Sequence, residues 1–311
     1  MGREPVTGNA GRLAGYGKLP FSREYIKVNC RDRAAGELVD LLDRAAPFLL
    51  EALRQGGPIQ ALLALGRAAT PLAAAIVPSH DAGGLRPFPF TLFTPLDAGP
   101  LRADPVGVVA GLGPLLAGLG RLADRAGERE SYGELEALLT RARVDGSGGE
   151  APRRGAATLG EWAASLHGGN RERFLLTLWQ LGRLLGGGKE GRGRAVRGIK
   201  LPLTPALDRW EQAACWLSLI PLRRDGREAW SLMLHQAGKE GRLTLFLQGP
   251  APQDLQVLAP GASVPGFHDY TVDREPTSLA GFSAFSDRVE RHLSRGLTMD
   301  RLAEVMEECN P

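Results

Sequence analysis

Ser79-His80-Asp81 holds the three residue types of a charge-relay hydrolase in one tripeptide, and Gly15-Tyr16-Gly17-Lys18 holds the glycines and lysine that phosphate-cradling loops use. Spacing decides what each can do. A triad works when hydroxyl, imidazole and carboxylate converge on one reacting atom, whereas three consecutive side chains diverge. The turn reading is therefore preferred, with Ser79 or Asp81 bonding nearby backbone amides ahead of Gly83-Gly84, as short polar side chains do. A phosphate loop closing on Gly17-Lys18 needs Gly at position 12 and Ser or Thr at position 19, where this chain has Arg12 and Leu19. The dinucleotide pattern fails because Pro20 stands in place of its third glycine. Gly186-Gly187-Gly188-Lys189 follows a helical stretch and reads as a loop.

Other chemistry is equally thin. There is no Gly-x-Ser-x-Gly elbow and no His-Glu-x-x-His. His80, His167, His235, His268 and His292 lack ligand spacing and read as surface or capped side chains. Cys30, Cys215 and Cys309 are far apart, without a Cys-x-x-Cys pair, against both a disulfide framework and a thiolate metal site. The expectation is no catalytic residue, no metal and no cofactor.

The elements that position these segments follow from periodicity. Leu13 to Leu19 reads as a short strand ended by Pro20. Ala34, Leu38, Leu41, Leu42, Ala45, Leu49 and Leu53 share one helix face, with Pro47 expected to kink or divide that helix. Pro58 to Ala69 reads as a short helix, Leu72 to Val77 as a buried strand, and Phe88 to Pro95 as a strand with apolar residues on both faces. Val106 to Ala123 and Tyr132 to Ala142 read as helices, and 145–157 has the composition of a linker. Further helices are expected over Leu159 to Leu166, Arg171 to Leu185 and Leu207 to Ile220, then a hairpin of Trp230 to His235 and Leu243 to Leu247 with a loop from Gln236 to Arg242. Two C-terminal helices, Phe282 to Arg295 and Thr298 to Glu308, close the chain. Strand pairs interleaved with helices, without a strict βα repeat, predict an α+β fold with an antiparallel sheet rather than a doubly wound one.

Composition narrows the class. The 311 residues are 43% hydrophobic, enough for a sizeable core. The net charge of +3 is near balance, and no concentrated basic face marks a nucleic-acid binder. The Arg-rich run Arg192 to Arg197, with Lys189 and Lys200, reads as a solvated loop, the alternative being contact with an acidic partner, phosphate or lipid headgroup. No stretch approaches the roughly 20 apolar residues of a membrane span, and the N-terminus lacks a signal-peptide core, so a cytoplasmic location is expected. The five tryptophans, all after position 160, read as core anchors, with interface hot spots as the alternative.

Gly17-Lys18-Leu19-Pro20, then Pro78-Ser79-His80-Asp81 running through Arg86-Pro87-Phe88-Pro89-Phe90-Thr91-Leu92, resemble as an ordered set the TagF (ImpM) family of type VI secretion-associated proteins. Ala229-Trp230-Ser231-Leu232 and Leu245-Phe246-Leu247-Gln248-Gly249-Pro250 resemble that family's late hairpin. Departures are present: Arg23-Glu24-Tyr25 replaces a Gly-Asp-Phe turn, the Trp-rich stretch after it is missing, and one residue is inserted before Arg86.

The resemblance implies a longin-like central antiparallel sheet flanked by helices, one unit over 13–275; the tail over 1–12, the linker near Gly148 and the helical segment over 276–311 are read from the chain's own pattern, the linker and the C-terminal helices having no match in the family. It implies a non-enzymatic accessory role in type VI secretion, through protein contacts with secretion components such as the forkhead-associated scaffold. Under it, Gly17, Lys18, Leu19, Pro20, Pro78, Ser79, Asp81, Arg86, Phe88 and Pro89 are the motif or interaction residues. Lys18, Asp81 and Arg86 are then either structural ties between the first strand and the Pro-Ser turn, the preferred reading, or part of the partner surface. Alternatives are a longin-like adaptor for a small GTPase or membrane-tethered complex, and a hydrolase using Ser79, His80 or Asp81.

Overall fold

The expected apolar face of the first long helix exists in full. In a computed structural model describing residues 12–66, 70–142, 159–185, 196–220, 229–237, 240–259, 261–271, 281–293 and 302, α1 runs Arg33–Gly56 and buries Leu38, Leu41, Leu42, Leu49 and Leu53. Asp32 caps its start by accepting from the Ala35 N–H. Pro47 does not divide it. The missing helical bond costs about 3 kcal/mol, while each buried leucine contributes roughly 1.5–3 kcal/mol, so the packed face wins and Pro47 stays exposed on the outer side.

The sheet beneath α1 contains β1 (Ala14–Gly17), β2 (Ile26–Val28), β3 (Ile59–Leu63), β4 (Leu72–Val77), β5 (Phe90–Pro95), β6 (Gly198–Leu203), β7 (Ser231–Ala237), β8 (Glu240–Phe246) and β9 (Phe267–Asp269). Its order is β2-β1-β5-β4-β3-β7-β8-β6-β9. Every pairing is antiparallel except β6 with β9. One face packs against α1 and the 3-10 turn Pro252–Leu258 through Ile59, Ala61, Leu63, Phe93, Met233 and Phe246. The other face is covered by the helices α2 (Ala98–Ala103), α3 (Pro105–Ala110), α4 (Gly113–Gly127), α5 (Tyr132–Arg141), α6 (Leu159–Ser165), α7 (Arg171–Leu185), α8 (Arg209–Ser218) and α9 (Phe282–Leu293). The fold is α+β, a large, mostly antiparallel sheet flanked by helices. Trp162, Trp179, Trp210 and Trp216 are buried in the helical layer, as core anchors.

Four local expectations are corrected. Residues 59–63, expected as helix, form β3, hydrogen-bonded between β4 and β7; burial on both faces overrides the helix preference of Ala and Leu. The helix expected over Val106 to Ala123 is two, interrupted at Gly111-Leu112, and Pro114 lies at the start of α4 where its missing N–H does no harm. The hairpin strands reach Ala237 and Glu240, so the loop is shorter than expected. Lys200 belongs to a buried strand, not to a solvated loop. The expected linker at 145–157, the tail before residue 12 and most of Thr298 to Glu308 lie outside the described residues. Strands from both sides of that linker join one sheet through β3 and β7.

Candidate functional site

Gly17 makes the junction of the two motif segments possible. Its φ of +136° is one that side-chain-bearing residues rarely adopt, and a Cβ there would lie 2.0 Å from the Pro89 carbonyl oxygen and 2.8 Å from Phe90 Cα. Only glycine lets β1 come so close to the chain entering β5. Leu19, just beyond, is anchored in the core, and the Ser22 N–H bonds to its carbonyl at 3.0 Å to turn the chain.

Between these anchors Lys18 is 2% exposed and Asp81 3%. Burying an ammonium is costly unless its charge and donors are matched. Here Lys18 Nζ donates to the Arg23 carbonyl at 3.0 Å, stands 4.6 Å above the Tyr25 ring and lies 4.0 Å from Asp81 Oδ2. Asp81 Oδ1 accepts from the Leu85 and Arg86 N–H groups at 3.1 and 3.3 Å, and Arg86 Nε lies 3.4 Å from Oδ2. Burial works to raise the Asp81 pKa, but the Arg86 and Leu85 amides, with Lys18 and Arg86, outweigh it and hold the carboxyl below its usual range. The Asp81 carboxylate thus closes the turn between β4 and β5, and Lys18 ties that turn to β1.

Ser79 Oγ donates to the Lys18 carbonyl at 2.6 Å, and His80 Nδ1 lies 2.8 Å from the Asp81 backbone oxygen. Hydroxyl, imidazole and carboxylate are each turned to a different backbone group, so the three do not form a relay. The Phe88 N–H bonds to the Ser79 carbonyl and His80 bridges Pro87, which aligns the segment as the end of a hairpin. Leu19, Phe88 and Pro89 are buried, Pro20 and Ser79 are half-buried, and Pro78 is exposed.

An aromatic group unforeseen in the sequence supports the junction. Tyr16 stacks on Tyr25 at 5.8 Å, and Phe88 meets both edge-on, at 5.9 and 4.9 Å. Tyr16 Oη donates to Asp43 Oδ1 on α1 at 2.5 Å; burial and that carboxylate raise its pKa. The signal was available, because Tyr16 alternates with buried Gly15 and Gly17 and Tyr25 precedes a strand. The rim above the junction is open: Leu85 is 85% exposed, the Arg86 side chain 70% and Tyr25 48%.

A second polar group, also missed, lies in the other half of the sheet. Lys200 is fully buried with Nζ 2.8 Å from Asp269 Oδ2, on the parallel neighbour β9. Lys200 pairs in register with Thr244, whose hydroxyl lies 3.3 Å from His235 Nε2. Burial, then Lys200 and Arg242, push the His235 pKa down to about 4. His235 Nδ1 and Arg242 Nε and Nη1 are buried without a hydrogen-bond partner. His235, expected at the surface or capped, is instead a buried neutral imidazole.

A cleft of about 720 Å³ opens at the start of α8, lined by Gln60, Gly113, Ala117, Leu207, Asp208 and Trp210 among others, and no motif residue lines it. Among the described residues no group of three or more His, Cys, Asp or Glu side chains is placed to hold a metal ion, and no helix is long and apolar enough to cross a membrane. Cys30 and Cys215 are free thiols; Cys309 lies outside the described residues.

No protein-family model matches the chain, and no curated protein matches it. Among solved structures it is similar to the crystal structure of PA0076 from Pseudomonas aeruginosa PAO1, with 14% sequence identity, 86% of this chain and 99% of that chain covered, and a TM-score of 0.47. A likeness this loose carries no weight in the functional argument.

Proposed function

We propose that this protein is a cytoplasmic, non-enzymatic accessory factor of a type VI secretion system, of the TagF (ImpM) kind, acting by protein-protein contact with the forkhead-associated scaffold. The observation that supports this reading is the meeting of the two motif segments. Gly17-Lys18 and Ser79-Asp81-Arg86, far apart in sequence, close one node in which the charged groups serve the fold. The chemistry left over is recognition chemistry: an exposed leucine, an arginine and a tyrosine face around a rigid turn, the residue types that interfaces use. The hydrolase alternative is weakened by Ser79 Oγ being committed to the Lys18 carbonyl.

Reciprocal affinity purification from the native host, with tags on this chain and on the scaffold, tests the proposal. Recovery of each by the other, with altered secretion in a deletion strain, is the expected result. Absence of the scaffold together with unchanged secretion overturns it, and nucleotide-dependent recovery of a small GTPase instead selects the adaptor reading.

A further inference from the structure

Three basic side chains on the α1-facing side of the sheet carry buried nitrogens that meet no hydrogen-bond partner among the described residues: Arg242 at Nε and Nη1, Lys200 at Nζ and His235 at Nδ1. Lys200 is fully buried, His235 is 2% exposed and Arg242 is half-buried. The strand register brings them together. β8 lies between β7 and β6, Arg242 stands opposite both His235 and Pro202, and Thr244, two residues on, stands opposite Lys200. Paired residues and residues two apart along a strand share a face, so Arg242 and Lys200 are diagonal neighbours across β8 and β6. Met233, opposite Thr244, packs against α1 and identifies that face.

Buried polar atoms are almost always bonded, and a group of orphaned ones marks a bound water or ion. Charge decides between the two. Lys200 and Arg242 are cations, and His235 is held neutral by its burial and by those cations. Asp269 is the single carboxylate paired with the group, 2.8 Å from Lys200 Nζ, and its other oxygen is taken by the Thr271 amide and hydroxyl. A lysine ammonium has three donors, more than that one contact engages. No further acid relieves the surplus. Glu240, two residues before Arg242 on the same face, is exposed and forms no ion pair with it among the described residues. Asp254, also on this side of the sheet, is paired with Arg197 at 2.7 Å and accepts from the Ala251 amide. Water in contact with these donors would leave one positive charge uncompensated in the interior, where unpaired charge is costly. The donors are out of contact with solvent, so the ligand is small and enclosed, of halide size and not a phosphate or sulfate.

We propose that Arg242, Lys200 and His235 form a site for one halide-sized monovalent anion, chloride being the common physiological one, and that the ion ties β6, β7 and β8 together. The site is independent of the secretion reading. Thermal midpoints of the purified full chain test it, with chloride raised from about 1 to about 300 mM against gluconate at constant ionic strength. The wild type should gain roughly 2–4 °C, bromide should substitute for chloride, and sulfate should add nothing. Arg242→Gln removes the guanidinium and Lys200→Met the surplus charge, and both should have midpoints indifferent to the anion. If Arg242→Gln fails to fold, Lys200→Met decides. Wild-type crystals soaked in bromide should show an anomalous peak within hydrogen-bond reach of Arg242 Nε and beside Lys200. A wild-type midpoint that ignores chloride, a dependence that persists in Lys200→Met, or bromide-soaked crystals with only water against Arg242 overturns the site.

Discussion

Lys18, just past the end of β1, and Lys200, within β6, are both buried and each faces an aspartate, yet their surroundings treat them in opposite ways. Around Lys18 a carbonyl, an aromatic face and a carboxylate share the charge, and the carboxylate is held in turn by two amides and Arg86. Around Lys200 the carboxylate of Asp269 stands against a lysine, an arginine and a histidine that must stay neutral. The first arrangement is closed electrically and open to solvent at its rim. The second has its lysine fully buried, its aspartate only 14% exposed, and is short of negative charge. A balanced node can hold a turn out in water for recognition, whereas an unbalanced one concentrates its strain where pH and substitution reach it. The two regions should therefore fail differently.

The largest effect is expected where backbone itself blocks a substitution. Gly17→Ala places a Cβ against the Pro89 carbonyl at an already unfavourable φ, and should cost about 4 kcal/mol or more. Gly198, beside the second lysine, also has no room, but part of its obstacle is the Phe267 ring, which can shift, so Gly198→Ala should cost about half as much. Denaturant unfolding of the two variants reads the difference. Equal losses would mean that the close approach at Gly17 is not what fixes the first region.

Next comes removal of the Asp269 carboxylate. Asp269→Ala strands a buried ammonium beside Arg242 and His235, and should cost about 3–4 kcal/mol. Lys200→Met should cost only about 1 kcal/mol, because it removes a like charge and leaves Asp269 its bonds from the Thr271 amide and hydroxyl. The asymmetry sharpens the contrast between the regions; a Lys200→Met loss as large as that of Asp269→Ala would show the pair to be balanced after all.

What the sequence disclosed follows the same division. α1, β4, β5, α7 and α8 are legible because their apolar residues repeat at a helical period or run continuously over a strand's length. Residues 59–63 mislead because Ala and Leu favour helix, and only the neighbours β4 and β7 make them strand. β6 is masked by the arginines before it and by Pro202. That proline is tolerated because β9 pairs only as far as Lys200, leaving the strand without a second neighbour there. Gly17, Lys18 and Asp81 can be picked out as motif residues, but their contact depends on how β1 and β5 pair. Lys200 and His235 give no local sign, since the partner of Lys200 lies in a strand that closes the sheet much later in the chain.

Acid should separate the regions in pH. Folded His235 has a pKa near 4 against an ordinary 6.5, so the unfolded chain takes up its proton first as pH falls. The stability its neutral burial preserves is complete above about pH 6.5 and is lost progressively toward pH 4, on the order of 3 kcal/mol in all. Asp81 and Asp269 have folded pKa values below their ordinary ones. Their contributions are present above about pH 4 and are lost only as pH falls through the depressed folded values. Thermal midpoints of the wild type and of His235→Gln between pH 7 and 4.5 check this. The wild type should lose stability across that window and the variant much less, while parallel curves would place the titrating group elsewhere.

The smallest effect on stability is expected at the exposed turn to which the protein-contact proposal assigns recognition. Leu85 is 85% exposed and its amide, not its side chain, holds the Asp81 carboxylate, so Leu85→Asp should change stability by no more than about 0.5 kcal/mol. The change removes the exposed apolar side chain that the protein-contact reading offers to a partner and puts a charge in its place. Circular dichroism and the thermal midpoint should stay at wild-type values while capture of the partner drops about tenfold or more. A variant that loses stability without losing its partner would make Leu85 part of the fold's support and return the balanced node of Lys18 and Asp81 to a purely structural role.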